Sequence, residues 1–310
     1  MASSNTPGAE VLNQAFWEQL NSGMVKNAAD SVSDFTRVRI REDGVYRRVI
    51  PPLTIQNSDL TPQVHTDTPC KVCEKEPGSP AAVSVPFGTN PTGFYIQGNR
   101  YLVSFNRIMT PLFIKDADEL RTYVMDIRQI ISDNAVRDIL AEEDGKFLSA
   151  VNSALIGADA TVPWSGVAQW ETIGAPISRE SLEDAFSIMP RTDGHFEVAT
   201  VLCNNVTIRQ VQKFGRDEMG GDFSQEVFRK GWSETEFMNA RWIISIKRNL
   251  IPDNSCYFFG DPRAIGKSFV LEEPTMFVDR RAFMIEFFLY ECIGGAIGDS
   301  AALARADFQG

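Results

Sequence analysis

Over residues 116–156 the chain keeps a helical apolar period, which at 1.5 Å per residue makes a rod of about 60 Å. Leu120, Val124, Ile127 and Ile131 recur at steps of four, three and four, and Asp116 stands as a cap with Glu119 three residues on. Gly145 is the one break in the pattern. A helix this long exceeds what most compact domains contain, so it reads as a structural spine rather than a pocket wall.

What flanks the rod is equally uneven. Residues 1–30 form a separate arm, in which Val11, Leu12, Ala15, Phe16 and Gln19 share a helical face. A short helix carrying Phe16 and Trp17 cannot bury that face alone, so it docks on its own body or on another chain. Residues 36–41 alternate strictly, with Arg37, Arg39 and Arg41 on one face and Val38 and Ile40 on the other. Asp43-Gly44 then offers a hairpin turn, residues 45–50 return as the second strand, and Pro51-Pro52 end it. Residues 51–99 are rich in proline and lack a helical period, a long extended excursion.

Beyond Gly157 the pattern is mixed. Ser178 caps a helix bearing Leu182, Ala185, Phe186 and Met189, which Pro190 stops. Residues 196–203 read as a strand, 206–214 as a helix, and 242–246, 257–259, 269–271 and 283–290 as further strands.

Composition narrows the function. The 310 residues carry 30 Lys and Arg against 41 Asp and Glu, a formal charge of −11, and 43% are hydrophobic. One large domain or two ordinary ones fit that length. The acidic balance argues against a protein that coats nucleic acid by neutralising phosphates. Apolar runs are far shorter than the roughly 20 residues of a membrane helix, and the small, polar start lacks a secretory pattern. Five cysteines without an export signal read as reduced thiols, most of them small core residues.

Four motifs invite a chemical reading. Gly260, Gly266, Lys267 and Ser268 suggest a phosphate loop, yet five residues separate the first glycine from Gly266-Lys267, where four are needed. Residues 268–274 also read as a strand instead of the required helix, so a turn between strands is the better account. His65, Cys70 and Cys73 offer three soft ligands, but a structural zinc site needs four, and Cys70 and Cys73 fit a strand with packed thiols equally well. Gly294, Gly295 and Gly298 follow an apolar strand without dinucleotide spacing, and again a turn accounts for them. Glu142, Glu143 and Asp144 form a charge run, the usual mark of a solvated helix face. Two histidines and no nucleophile motif give no enzyme, and nothing calls for a cofactor or metal.

Charge is segregated along the chain. Residues 36–50 carry Arg37, Arg39, Arg41, Arg47 and Arg48 against Glu42 and Asp43, while 116–144 carry nine acids against three arginines. Either both are solvated faces, or the arginine hairpin lies over the acidic rod of the same or an adjacent subunit and sets assembly register. Phe16, Trp17 and these five arginines are therefore the candidate assembly contacts.

An arm, an extended excursion, a long helix and an α/β body, in that order, resemble the major capsid protein of tailed bacteriophages, the Hong Kong 97-type fold. Residues 35–44 look like the opening of that family's extended loop, and 76–88 with 100–108 like its return. Residues 126–134 and 142–148 resemble its spine helix, and 259–266 with the apolar run to Gly298 its closing segments. The resemblance implies an α+β fold with an N-terminal arm (1–34), an extended β loop (35–86) and a peripheral domain (87–165) holding the spine helix. An axial domain (166–275) and closing strands returning to the peripheral domain (276–310) complete it. It implies self-assembly into hexamers and pentamers, an icosahedral shell enclosing double-stranded DNA without sequence-specific binding, and residence in the virion after assembly in the host cytoplasm. Implied partners are further copies of the chain, a separate scaffolding protein, a portal and cement proteins, with no membrane. An encapsulin-like nanocompartment is the alternative on the same fold, and a phosphate-binding soluble enzyme the alternative outside it.

Overall fold

The computed structural model describes Glu18 and residues 44–63, 66–75, 84–90, 93, 95, 98–116, 118–119, 127–161, 168–192, 194–211, 214, 235–245, 247 and 249–309. Among them the backbone builds two six-stranded sheets around one long helix. The first sheet contains β1 (Leu53–Thr54), β2 (Cys70–Lys75), β3 (Asn99–Met109), β4 (Phe113–Asp116), β10 (Gly266–Arg281) and β11 (Met284–Ile297). Its order is β1-β10-β11-β3-β2, with β4 also paired to β11. The second contains β5 (Trp170–Ile173), β6 (Thr200–Asn204), β7 (Thr235–Phe237), β8 (Ala240–Ser245), β9 (Ser255–Phe259) and β12 (Leu303–Phe308), in the order β5-β12-β9-β6-β8-β7.

Five α-helical segments accompany them: α1 (Val45–Val49), α2 (Ile127–Thr161), α3 (Arg179–Phe186), α4 (Thr207–Val211) and α5 (Pro262–Ile265). The 35 residues of α2 rise about 52 Å at 1.5 Å each. Its buried stripe runs Ala135, Val136, Ile139, Leu140, Phe147, Leu148, Val151 and Leu155, the three-and-four spacing of one helical face. Each Val, Leu, Ile and Phe side chain of the stripe contributes about 1.5–3 kcal/mol on leaving water. The stripe meets Met276, Val278, Ile285, Phe287 and Leu289 from one face of the first sheet, and Leu202, Tyr257, Phe259 and Leu303 from the second.

Alternation decides the sheet faces. In β10, Met276 and Val278 are buried while Phe277 between them faces outward. The central strands β6 and β9 are instead buried along their whole length, because α3 covers the face that α2 does not. Ser178 caps α3, its Oγ accepting from the Ser181 amide at 3.2 Å while Ser181 Oγ accepts from the Ser178 amide at 2.8 Å. The helix ends at Phe186, short of the expected stop at Pro190, and Met189–Arg191 form a separate 3₁₀ turn.

Three local expectations are corrected. Residues 45–49 are helical, not a returning strand: Val45, Tyr46, Val49 and Ile50 face the core together, a set that helical spacing groups and alternation would split. The first strand and turn expected at 36–43 lie outside the described residues. Asp116 ends β4 rather than capping the long helix, because residues 113–116 pair with Met284–Phe287 of β11. Gly294 and Gly295 lie within β11, not in a turn; a Cβ on Gly294 would sit 2.8 Å from the Ser104 carbonyl oxygen, and one on Gly295 would collide with the Tyr46 hydroxyl. The turn expected between strands at 260–268 is present: residues 262–265 turn once as α5, capped by Asp261, between β9 and β10.

Among the described residues a hairpin lies further along the chain. Antiparallel pairing joins β2 to β3, Cys70 opposite Ser104 through Lys75 opposite Asn99, so the excursion leaves at residue 70 and returns at 99. The boundary drawn at 275/276 falls inside β10, and the terminal strand β12 belongs to the second sheet.

Candidate functional site

The buried stripe of α2 does not stop at Leu140 and resume at Phe147; it passes through Glu143 and Asp144, which are 2% and 1% exposed. Two acids on a core face must find partners, since an unpaired buried charge is strongly unfavourable. Glu143 finds Arg47. The guanidinium donates from Nε to Glu143 Oε2 at 3.1 Å and from Nη2 to Glu143 Oε1 at 2.6 Å, a two-point contact. The same Nη2 donates to Glu291 Oε2 at 2.6 Å. Arg47 comes from α1, Glu143 from α2 and Glu291 from β11, so three elements distant in sequence meet at one cation.

Asp144 performs a parallel task. Its Oδ1 accepts the Tyr46 amide at 2.9 Å and its Oδ2 accepts from Lys247 Nζ at 2.6 Å. Lys247 also donates to the Leu140 carbonyl, tying the segment that precedes β9 to the middle of the helix. Tyr46 completes the junction by donating its hydroxyl to Ser268 Oγ at 2.7 Å, the serine once grouped with a phosphate loop. Beside these groups lies a cleft of about 130 Å³ lined by Tyr46, Asn106, Glu143, Lys146, Phe147 and Gly295 among others.

The electrostatics follow from burial. Burial pushes the Glu291 carboxyl up to about 9, helped by its hydrogen bond and charge repulsion with Glu143 and opposed by Arg47. Burial alone would lower the Arg47 guanidinium, but Glu143 and then Glu291 outweigh it and hold it above its usual value. The Tyr46 phenol, desolvated first and relieved by Ser268, is pushed up to about 12. The arrangement ties α1, α2 and β11 together through buried charge.

The second feature is an exposed one. The base of the β2–β3 hairpin is anchored by Cys73, Val103 and Phe105, packed with Phe269 and Cys292 inside the curled first sheet. Lys75 adds an ion pair with Asp299 at 2.9 Å. Between the strands, Val85, Phe87 and Tyr95 stand exposed, Phe87 and Tyr95 almost entirely. Aromatic side chains left in water at the end of a hairpin are surface that binding would bury.

The sequence-based candidates scatter. Phe16, Trp17, Arg37, Arg39, Arg41 and His65 lie outside the described residues. Arg47 is corrected from a surface contact to a buried one, with 6% of its side chain exposed; Arg48, on the same short helix, is half-buried. Cys70 and Cys73 fall on opposite faces of β2, three residues apart in an alternating strand. The Cys70 thiol donates to the Thr61 carbonyl at 3.1 Å, whereas Cys73 joins the core, where burial pushes its thiol up. Glu143, Asp144, Glu291 and Lys247 were not singled out as paired groups. The signal was available for two of them: Glu143 and Asp144 stand four residues after Ile139 and Leu140 and four before Phe147 and Leu148.

No protein-family model matches the sequence, and no curated protein matches it. Solved structures do. The capsid of the cyanophage P-SCSP1u superposes with a TM-score of 0.61 at 11% identity, over 86% of this chain and 88% of that one. The capsid of a native GTA particle gives 0.58 at 13% identity, over 85% and 89%. A virus-like particle from Pyrococcus furiosus gives 0.51 at 10% identity, over 90% and 98%. The shared architecture is the α+β Hong Kong 97-type capsid fold.

Proposed function

We propose that this chain is the major capsid protein of a tailed double-stranded DNA phage, assembling through copies of itself into hexamers and pentamers of an icosahedral head. The observation that carries the reading is the end-to-end match with capsid chains: the fold is shared over nearly the full length of both partners, not over one sheet. The exposed aromatics of the β2–β3 hairpin support it, because such a surface is completed by a neighbouring subunit. In this reading the hairpin is the extended loop, α2 and the first sheet form the peripheral domain, and the second sheet forms the axial domain. Head-to-tail contacts of one loop with the next subunit close into rings. The net charge of −11 fits an inner wall that does not trap packaged DNA. A scaffolding protein, a portal and cement proteins are the further partners, the virion is the location after assembly in the host cytoplasm, and the role is structural rather than catalytic.

An encapsulin-like nanocompartment shell is the alternative on the same fold. Electron microscopy and sedimentation of the overexpressed chain test the assembly. Shells, rings or tubes of large mass are expected. A chain that stays monomeric under crowding and when co-expressed with its neighbouring genes overturns the reading. Particles that carry a protein cargo and exclude DNA favour the compartment instead.

A further inference from the structure

Arg47, Glu143 and Glu291 present one cation to two carboxyl groups in a closed space. The side chains of both acids are fully buried and that of Arg47 is 6% exposed. One guanidinium balances one carboxylate; a second carboxylate there would leave a net negative charge away from water. Glu291 Oε1 finds no donor among the described residues, while Arg47 Nη2 draws the Glu143 and Glu291 carboxyls together, each with an oxygen 2.6 Å from that one nitrogen. That arrangement satisfies both acids only if one of them carries a hydrogen.

Among the described residues no second cation pairs with either acid. From α1 the facing groups are Arg47 and the Tyr46 phenol. From α2 they are Glu143 and, on either side, Asp144, which Lys247 already engages, and Lys146, which pairs with Glu142 at 3.2 Å. From β3 the residue opposite Glu291 is Ile108, which is apolar, and the neighbouring Cys292 stands opposite Glu272 of β10 and Arg107 of β3.

We propose that this triad is a one-proton lock between the long helix and the first sheet: a single hydrogen shared by the Glu143 and Glu291 carboxyls completes the junction, and its loss in alkaline solution loosens it. With the proton in place, Glu291 donates toward Glu143 while Arg47 bridges both, and the site is neutral. When hydroxide removes it, water is formed and two carboxylates face one guanidinium. The direction of the effect on folding follows from linkage. The folded chain keeps the Glu291 proton up to about pH 9, whereas an ordinary glutamate releases it near 4.5. The contribution is therefore full below 4.5, declines as pH rises and is spent above about 9. This property belongs to the folded subunit and stands whether or not the shell reading does.

The test compares the wild type with Glu291→Gln, whose amide reproduces the un-ionised acid at all pH values. Urea unfolding of both proteins is measured from mildly acidic to alkaline pH. The folding constant of the wild type should fall about tenfold per pH unit relative to the variant, the slope for one proton, and the ratio should level off near pH 9. A ratio independent of pH overturns the proposal. Infrared spectroscopy of the wild type supplies a second arm that needs no variant to fold. The carbonyl stretch of an un-ionised carboxylic acid is expected at neutral pH and should vanish with a midpoint near pH 9. Its absence at neutral pH also overturns the lock.

Discussion

Arg47 shows how one side chain changes the meaning of its neighbourhood. In the linear sequence it is one of five arginines in a basic stretch, and the adjacent Glu142, Glu143 and Asp144 are a charge run. In three dimensions only Glu142 keeps the surface role, pairing with Lys146 in water, where such a bond is worth ~0–1 kcal/mol. Glu143 is locked in the core. Replacing Arg47 with methionine leaves Glu143 and Glu291 facing each other without a cation, and the expected loss is ~3–5 kcal/mol in urea denaturation. Replacing all three by apolar residues of matching volume should recover most of that loss, because the penalty lies in the uncompensated charge. If the methionine variant is as stable as the wild type, the triad is not closed to water. The periodicity of α2 carried the information that Glu143 is buried, but the identity of its partner did not reside there. Glu291 lies in a strand and Arg47 in a five-residue helix, and nothing local links either to position 143.

Elements with strong punctuation were legible, and elements defined by distant partners were not. Ser178 opens α3 with side-chain chemistry that acts within a few residues, so its start was readable, while Pro190 only limited how far it could run and the helix ends at Phe186. Replacing Ser178 with alanine removes the acceptor for the Ser181 amide and should cost about 1 kcal/mol, seen as a lower urea midpoint with an unchanged slope. A change in slope would mean that the cap also holds the compactness of the second sheet. By contrast, β1 is two residues long and exists because Phe269 and Val270 pair with it from the far end of the chain. The segment 45–50 was misread for the same reason. Its apolar residues keep helical spacing, but Asp43-Gly44 suggested a hairpin turn and so a returning strand, whereas contact with α2 holds the helix. The long helix survived as an expectation because its periodicity is sustained, although the described helix begins at Ile127 and not at the cap proposed near Asp116.

At the scale of the whole molecule, the order of parts was readable and the boundaries were not. An extended excursion followed by a long helix is a gross pattern that survives local errors. The alternation at 36–41 and the Asp43-Gly44 turn suggest a hairpin over 36–50, whereas the hairpin among the described residues pairs 70–75 with 99–104. This separates two tests of assembly. Reversing Arg37, Arg39 and Arg41 to glutamate should leave a folded subunit and impair shell formation if that basic stretch sets register. Normal particle yield would remove the basic stretch from the assembly contacts. The hairpin tip is tested independently. Phe87 and Tyr95 have little to lose within their own subunit, being exposed, so serine at both positions should leave the urea midpoint unchanged. In a shell the same two rings would be buried against a neighbour, each withdrawing apolar area from water at roughly 25 cal/mol per Å². Repeated around every ring of subunits, that loss should shift sedimentation from shells to free subunits at protein concentrations where the wild type assembles. Unchanged assembly by the double variant would show that the aromatics face solvent in the particle as well, and the grip between subunits would then have to come from another surface.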